Sequence, residues 1–129
     1  MASKESLYPK DWIKKADKDF ERVKERIDSD VEDAAFHLQQ AVEKYLKAYL
    51  LLKGWKLKKI HDLEALLDEA VKYNTGFEKF RKLCQRITGY YLIERYPFIL
   101  ELPSKQEVKS ELTQAKRLSK AILKEIKKV

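Results

Sequence analysis

Glycine, proline and cysteine are scarce in this chain. Three Gly, three Pro and one Cys occur among 129 residues, so the frequent turns that join short β-strands have little support. Charged residues make up 38% of the sequence, with Lys, Glu, Leu and Ala abundant, a composition typical of helices. We therefore expect an all-α fold, an up-and-down antiparallel bundle of about five helices.

Two further absences concern the compartment. A single cysteine, Cys84, cannot form an internal disulfide or a thiolate metal cluster, so nothing points to an oxidising environment. No N-terminal apolar segment precedes a small-residue cleavage site, and the longest apolar stretch, around residues 45–52, is interrupted by Lys47. These absences predict a cytoplasmic protein with no membrane partner.

Length and charge bound the organisation and the partner class. A hydrophobic content of 44% is enough to build one core, and no repeat or long linker divides the chain. We expect residues 1–129 to form a single domain. The net charge of +7 suits an anionic partner such as RNA or nucleotide phosphate, although many lysine-rich proteins bind neither.

Apolar residues recur at three- and four-residue steps, which is the helical period. The predicted helices span about residues 9–27, 31–53, 63–73, 77–91 and 105–129. Residues suited to N-caps precede three of them: Ser29 or Asp30, then Asp62, then Ser104 in a capping box with Glu107. Gly54 ends the second helix. That helix also carries Phe36 and Leu51 opposite its main apolar face, so it is either central in the bundle or part of a dimer interface.

Three polar residues of the second helix are candidates for anion binding. Gln40, Lys44 and Lys47 lie three and four residues apart, on one helical face. The alternative is that the lysines are solvated and Gln40 lies in a packing seam. Spacing alone does not decide between these interpretations.

His61 begins a second candidate region. It stands with Asp62 at a helix start, where free backbone N–H groups favour a cap or an anion. His37 is the only other histidine, and no zinc-ligand spacing surrounds either one, so no metal site and no cofactor are expected. The preceding connection, residues 54–59, interleaves Trp55 with lysines, which suits either base and phosphate binding or a hydrophobic lid with solvated lysines.

A tyrosine cluster with an arginine forms the third region, residues 90–97. Arg95 stands just before a helix-breaking proline, beside Tyr91 and Tyr96, and can bind phosphate bidentately or tie down helix-end carbonyls. No nucleophile elbow, catalytic triad or Gly-rich phosphate loop occurs in the chain. A self-contained nucleotide-hydrolysing or kinase activity is therefore not expected.

Several motifs follow one another in a fixed order. They are Trp12 with Ala16 and Asp19, the run HLQQAVEKYLKA over residues 37–48, His61-Asp62-Leu63, and Tyr91 with Arg95-Tyr96-Pro97. Together they resemble the HEPN domain (higher eukaryotes and prokaryotes nucleotide-binding) over nearly the whole chain. The resemblance implies a helical bundle, frequent dimerisation and, in prokaryotes, frequent pairing with a minimal nucleotidyltransferase in toxin–antitoxin-like modules.

The chain departs from the HEPN pattern at one motif. Many HEPN ribonucleases carry an Arg, four to six intervening residues and then a His. Ahead of His37 the required positions hold Asp30, Val31 and Glu32; ahead of His61 they hold Gly54, Trp55 and Lys56. Without that Arg and His pair, RNA cleavage lacks its charge stabiliser and its proton-transfer group.

These observations predict a non-catalytic or regulatory HEPN subunit. It would be a homodimer that engages a nucleotide, RNA or a minimal nucleotidyltransferase. The candidate binding residues are Gln40, Lys44, Lys47, His61, Tyr91, Arg95 and Tyr96, and Lys47 and Arg95 are expected to be at least partly exposed. Two alternatives stay open: a metal-independent endoribonuclease toxin using His61 with Arg95 or Lys56, and a purely structural interaction domain with an apolar binding surface.

Overall fold

The computed structural model describes residues 6–93 and 102–127. Within these residues, five α-helices form: α1 (Pro9–Arg26), α2 (Val31–Leu52), α3 (Leu63–Val71), α4 (Arg81–Ile87) and α5 (Lys105–Lys127). A first 3₁₀ helix, Thr75–Phe80, precedes α4, and a second 3₁₀ helix, Thr88–Leu92, follows it. The predicted all-α bundle is confirmed.

Side chains cap the starts of three helices, as predicted. The Asp30 carboxylate accepts a hydrogen bond from the backbone N–H of Asp33, at 3.1 Å. Asp62 accepts from the backbone N–H of Glu64, at 2.9 Å. Ser104 and Glu107 form the reciprocal capping box ahead of α5. Each cap satisfies backbone donors that the first helical turn leaves unpaired.

Gly54 ends α2 in a Schellman motif. Its φ is +86°, a left-handed conformation that glycine adopts without a Cβ clash. The Trp55 N–H donates to the Leu50 carbonyl at 2.9 Å, and the Gly54 N–H donates to the Leu51 carbonyl at 3.0 Å. Both bonds satisfy carbonyls that the last helical turn leaves free, so the chain stops here and turns toward α3.

The helix α2 is the centre of the bundle. It contacts α1, α3, α4, α5 and the second 3₁₀ helix, and it is buried on almost every side, whereas Phe36 and Leu51 are half-buried. The central position explains the apolar residues on two sides of this helix. The largest fully buried side chains come from all five α-helices and the first 3₁₀ helix: Phe20, Leu38, Leu46, Tyr49, Leu50, Leu63, Leu66, Leu67, Phe77, Leu83, Ile87 and Leu118.

The predicted fourth helix is divided. Periodicity suggested one helix over residues 77–91, but a short α4 lies between two 3₁₀ helices. Asn74 caps the first of these by accepting from the Gly76 N–H at 2.9 Å. The Thr88 hydroxyl accepts from the Leu63 N–H at 2.9 Å, which ties the start of the second to the start of α3. These side-chain bonds favour tight turns over a continuous α-helix.

Candidate functional site

Glu43 lies at the centre of a buried polar cluster on α2. Glu43 is only 4% exposed, yet three donors surround its two carboxylate oxygens. Lys47 Nζ lies 3.1 Å from Oε2, His61 Nδ1 lies 2.9 Å from Oε1, and Gln39 Nε2 lies 3.1 Å from Oε1. We call Gln39, Glu43, Lys47 and His61 the Glu43 cluster. Because the carboxylate is an acceptor for all three, its burial is compensated.

His61 is held by its backbone and its ring. Its carbonyl accepts from Gln39 Nε2 at 3.1 Å, and the ring stacks on Tyr91 with centroids 5.1 Å apart and planes inclined by 27°. The side chain is nevertheless 43% exposed. Because an ionised carboxylate only accepts, Nδ1 donates to Glu43 and Nε2 is the nitrogen left as an acceptor. Within residues 6–93 and 102–127, Nε2 has no hydrogen-bond partner.

Tyr91 contacts His61 because hydrogen bonds hold the second 3₁₀ helix to both α3 and α5. The Thr88 hydroxyl bonds to the start of α3, and the Tyr90 hydroxyl donates to Glu111 Oε1 of α5 at 2.9 Å. The half-buried Tyr91 ring then covers one face of His61. The result is an aromatic platform, His61 with Tyr91, at the surface of the Glu43 cluster.

Lys47 is not a surface cation. It is 4% exposed, pairs with Glu43 one turn away, and its Nζ lies 5.6 Å from the centre of the half-buried Trp12 ring. The expectation that Lys47 would be at least partly exposed is therefore wrong. The physical reason is that α2 is central, so even a charged side chain on its inner face is enclosed and takes an internal partner.

Gln40 and Lys44 are also engaged in internal contacts. Lys44 Nζ pairs with Asp19 Oδ2 of α1 at 2.5 Å, and His37 Nδ1 lies 2.7 Å from the other oxygen of Asp19. Gln40 Nε2 donates to Gln39 Oε1 at 2.7 Å, which extends the Glu43 cluster by one residue. Lys44 and Lys47 therefore pair with different carboxylates, Asp19 and Glu43. Neither joint binding of one anion nor simple solvation describes these two lysines.

Two remaining candidates, Arg95 and Tyr96, lie outside the described residues. The basic loop ahead of His61 is described: Lys56, Lys58 and Lys59 are exposed, and Trp55 packs against the core. Lys58 Nζ lies 5.9 Å from the centre of the Trp55 ring. Trp55 therefore acts as the hydrophobic lid, while the lysines stay accessible to an anion.

Sequence reasoning did not single out Glu43, Gln39 or Asp19 as partners. A signal was available for two of them, because Gln39, Glu43 and Lys47 recur every four residues on a helix whose other positions are largely apolar. Polar residues repeated along the inner face of a buried helix need partners. Asp19 belongs to the first of the ordered motifs, but no sequence pattern pairs it with His37 or Lys44, since an Asp on an amphipathic helix is ordinarily solvated.

Within residues 6–93 and 102–127, no group of three or more His, Cys, Asp and Glu side chains is arranged to hold a metal ion. Burial raises the pKa of the Cys84 thiol to about 12, which disfavours the thiolate.

No helix within residues 6–93 and 102–127 is long and apolar enough to cross a membrane.

Comparison with known families identifies the domain. The model of the HEPN domain family matches residues 9–126. The chain belongs to the HEPN family. That membership associates this HEPN protein with nucleotide- or RNA-related functions. No curated protein and no solved structure matches the chain.

Proposed function

We propose that this HEPN protein is a nucleotide- or RNA-binding subunit that works with a minimal nucleotidyltransferase in a toxin–antitoxin-like module. One observation supports the binding part of this proposal: His61 is held by the buried Glu43, stacks on Tyr91, and is still 43% exposed. The partner and the module are what the family resemblance implies. A ring fixed in this way binds a base without losing much side-chain entropy.

The charge around His61 supports the same ligand class. Lys56, Lys58 and Lys59 stand two to five residues before it and are exposed, so they are available for phosphate contacts. Arg95 and Tyr96 belong to the proposed site as a phosphate contact and a further stacking surface. Lys47 and Gln40 contribute indirectly through Glu43 and Gln39 of the Glu43 cluster, and Lys44 contributes through its ion pair with Asp19, which holds α1 against α2.

Binding of a labelled single-stranded RNA, measured by fluorescence polarisation, tests the site. The variant Tyr91→Ala removes the ring that holds His61 flat and should weaken binding, by up to the roughly 5- to 150-fold that one base–aromatic stack contributes. Tyr73→Ala is the matched control, since Tyr73 is 49% exposed and follows the end of α3, whereas His61 precedes its start, and it should leave affinity unchanged. Equal losses in both variants, or none in either, would remove Tyr91 from the site.

The basic loop has its own test. The double variant Lys56→Glu and Lys59→Glu should weaken RNA binding and reduce its salt dependence, because phosphate contacts release counterions. Lys120→Glu with Lys124→Glu changes the net charge equally on exposed positions of α5. If the two double variants behave alike, only the overall charge matters and the loop is no specific contact.

A metal-independent endoribonuclease is the second candidate function. It is favoured by the hydrogen bond from Nδ1 to Glu43, which fixes the tautomer and leaves Nε2 for proton transfer. RNA cleavage that persists in EDTA and disappears in His61→Ala would establish this activity. Binding without cleavage would leave the binding subunit, and neither binding nor cleavage would favour a purely structural interaction domain.

The proposed homodimer and the proposed partner need separate measurements. Light scattering coupled to size-exclusion chromatography should give twice the mass of the 15.3 kDa chain. Co-expression with a minimal nucleotidyltransferase encoded beside this gene should yield a stable complex. A monomer that copurifies with no transferase would contradict both parts of the proposal.

A further inference from the structure

Glu111 of α5 is almost fully buried, with 3% of its surface exposed. Its Oε1 accepts from the Tyr90 hydroxyl at 2.9 Å, and Arg86 Nε lies 3.7 Å from its Oε2. Burial raises the pKa of Glu111, so this position disfavours the ionised carboxylate. The Tyr90 hydroxyl and the Arg86 guanidinium offset part of the cost of burying this carboxylate.

Tyr90 is the neighbour of Tyr91 in the second 3₁₀ helix. Successive residues of a 3₁₀ helix are rotated by about 120° around its axis, so adjacent side chains face different elements. Tyr90 faces α5, where Glu111 holds its hydroxyl, and Tyr91 faces the start of α3, where it stacks on His61. Holding one ring therefore fixes the rotation of the turn and so the place of the other.

We propose that Glu111 is a positioning residue of the His61–Tyr91 platform. Through Tyr90 it sets the rotation of the second 3₁₀ helix, so that the Tyr91 ring lies flat on His61. Thr88 holds the other end of this helix at α3, so loss of the Glu111 bond loosens the Tyr91 end and leaves the bundle folded. The effect on ligand binding rests on the proposed function; the effect on the stack does not.

Nuclear magnetic resonance of the His61 ring tests the positioning directly. The Tyr91 ring current shifts the His61 ring protons, so Glu111→Ala and Tyr90→Phe should each move these resonances toward their positions in an unstacked histidine. Glu111→Gln should restore them, because its amide oxygen still accepts from Tyr90. Tyr73→Phe, which removes a hydroxyl beyond the C-terminal end of α3, should leave the His61 resonances unchanged.

The same variants are then measured for RNA affinity. Glu111→Ala and Tyr90→Phe should weaken binding about two- to tenfold, the factor carried by one ordinary hydrogen bond, and Glu111→Gln should restore it. Unmoved His61 resonances in both Glu111→Ala and Tyr90→Phe overturn the positioning role, as does an equal shift in Glu111→Gln. Shifted resonances with unchanged affinity support the positioning role and count against the proposed function instead.

Discussion

Glu43 and Glu111 are both buried carboxylates, and they differ in how well their charge is compensated. Glu43 is surrounded by donors from Lys47, His61 and Gln39. Glu111 has one hydroxyl donor, from Tyr90, and a more distant guanidinium. Burial outweighs these partners and raises the pKa of Glu111. At the scale of single residues, the donors of neighbouring side chains offset the burial of a carboxylate, and Glu111 has fewer of them than Glu43.

The raised pKa of Glu111 makes stability depend on pH. In the unfolded state the Glu111 carboxyl keeps its ordinary pKa of 4.5, so the folded state binds the proton more tightly than the unfolded state does. The free energy of unfolding therefore falls as pH rises above that value. Glu111→Gln does not titrate, so urea unfolding should show the variant gaining on the wild type between acidic and neutral pH. A constant difference between the two proteins across this range would contradict the prediction.

Local chemistry decides where the helices end. Asp30 and the Schellman motif at Gly54 set the two ends of α2, and both are recognisable in the sequence. The region of residues 75–92 is different, because side chains of Asn74 and Thr88 redirect the backbone into 3₁₀ turns. Thr88 does so by bonding to α3, a partner 25 residues away. Such a bond has no local pattern.

Two glycines give a matched test at the scale of the element. Gly54 has a φ of +86°, so Gly54→Ala should lower the free energy of unfolding by about 1–2 kcal/mol through Cβ strain. Gly89 lacks a left-handed φ, and a Cβ there meets no atom within 4 Å. Gly89→Ala should therefore be neutral or stabilising by up to about 1 kcal/mol. Chemical denaturation of both variants measures the contrast, and equal effects would refute it.

The position of α2 organises the whole molecule. Because this helix contacts α1, α3, α4 and α5, its side chains contribute both to the apolar core and to the Glu43 cluster beneath His61. The Glu43 cluster and the pairing of Lys44 with Asp19 are consequences of that enclosure. Fold stability and site geometry therefore share one element, and damage to its core should affect both.

Leu46 is fully buried on α2, and Leu7 is 67% exposed. The variant Leu46→Ala should cost about 2–5 kcal/mol, because it removes apolar contacts and leaves a cavity. Leu7→Ala makes the same chemical change at the surface and should stay within about 0.5 kcal/mol of the wild type. Urea unfolding of the two variants gives both values. A cost below 1 kcal/mol for Leu46→Ala would argue against α2 as the centre of the core.

The sequence by itself determined the helical class, most helix ends and the family. Helical periodicity, caps such as Asp30 and Asp62, and the order of short motifs are all local, and local patterns survive without knowledge of the fold. It also pointed to His61 and Tyr91 as candidates. Only the tertiary structure decided what the polar residues of α2 do, since a lysine such as Lys47 looks the same in sequence whether it is solvated or buried. Its role depends on Glu43, on the enclosing helices and on the distance to Trp12, and these are set by packing between segments far apart in the chain.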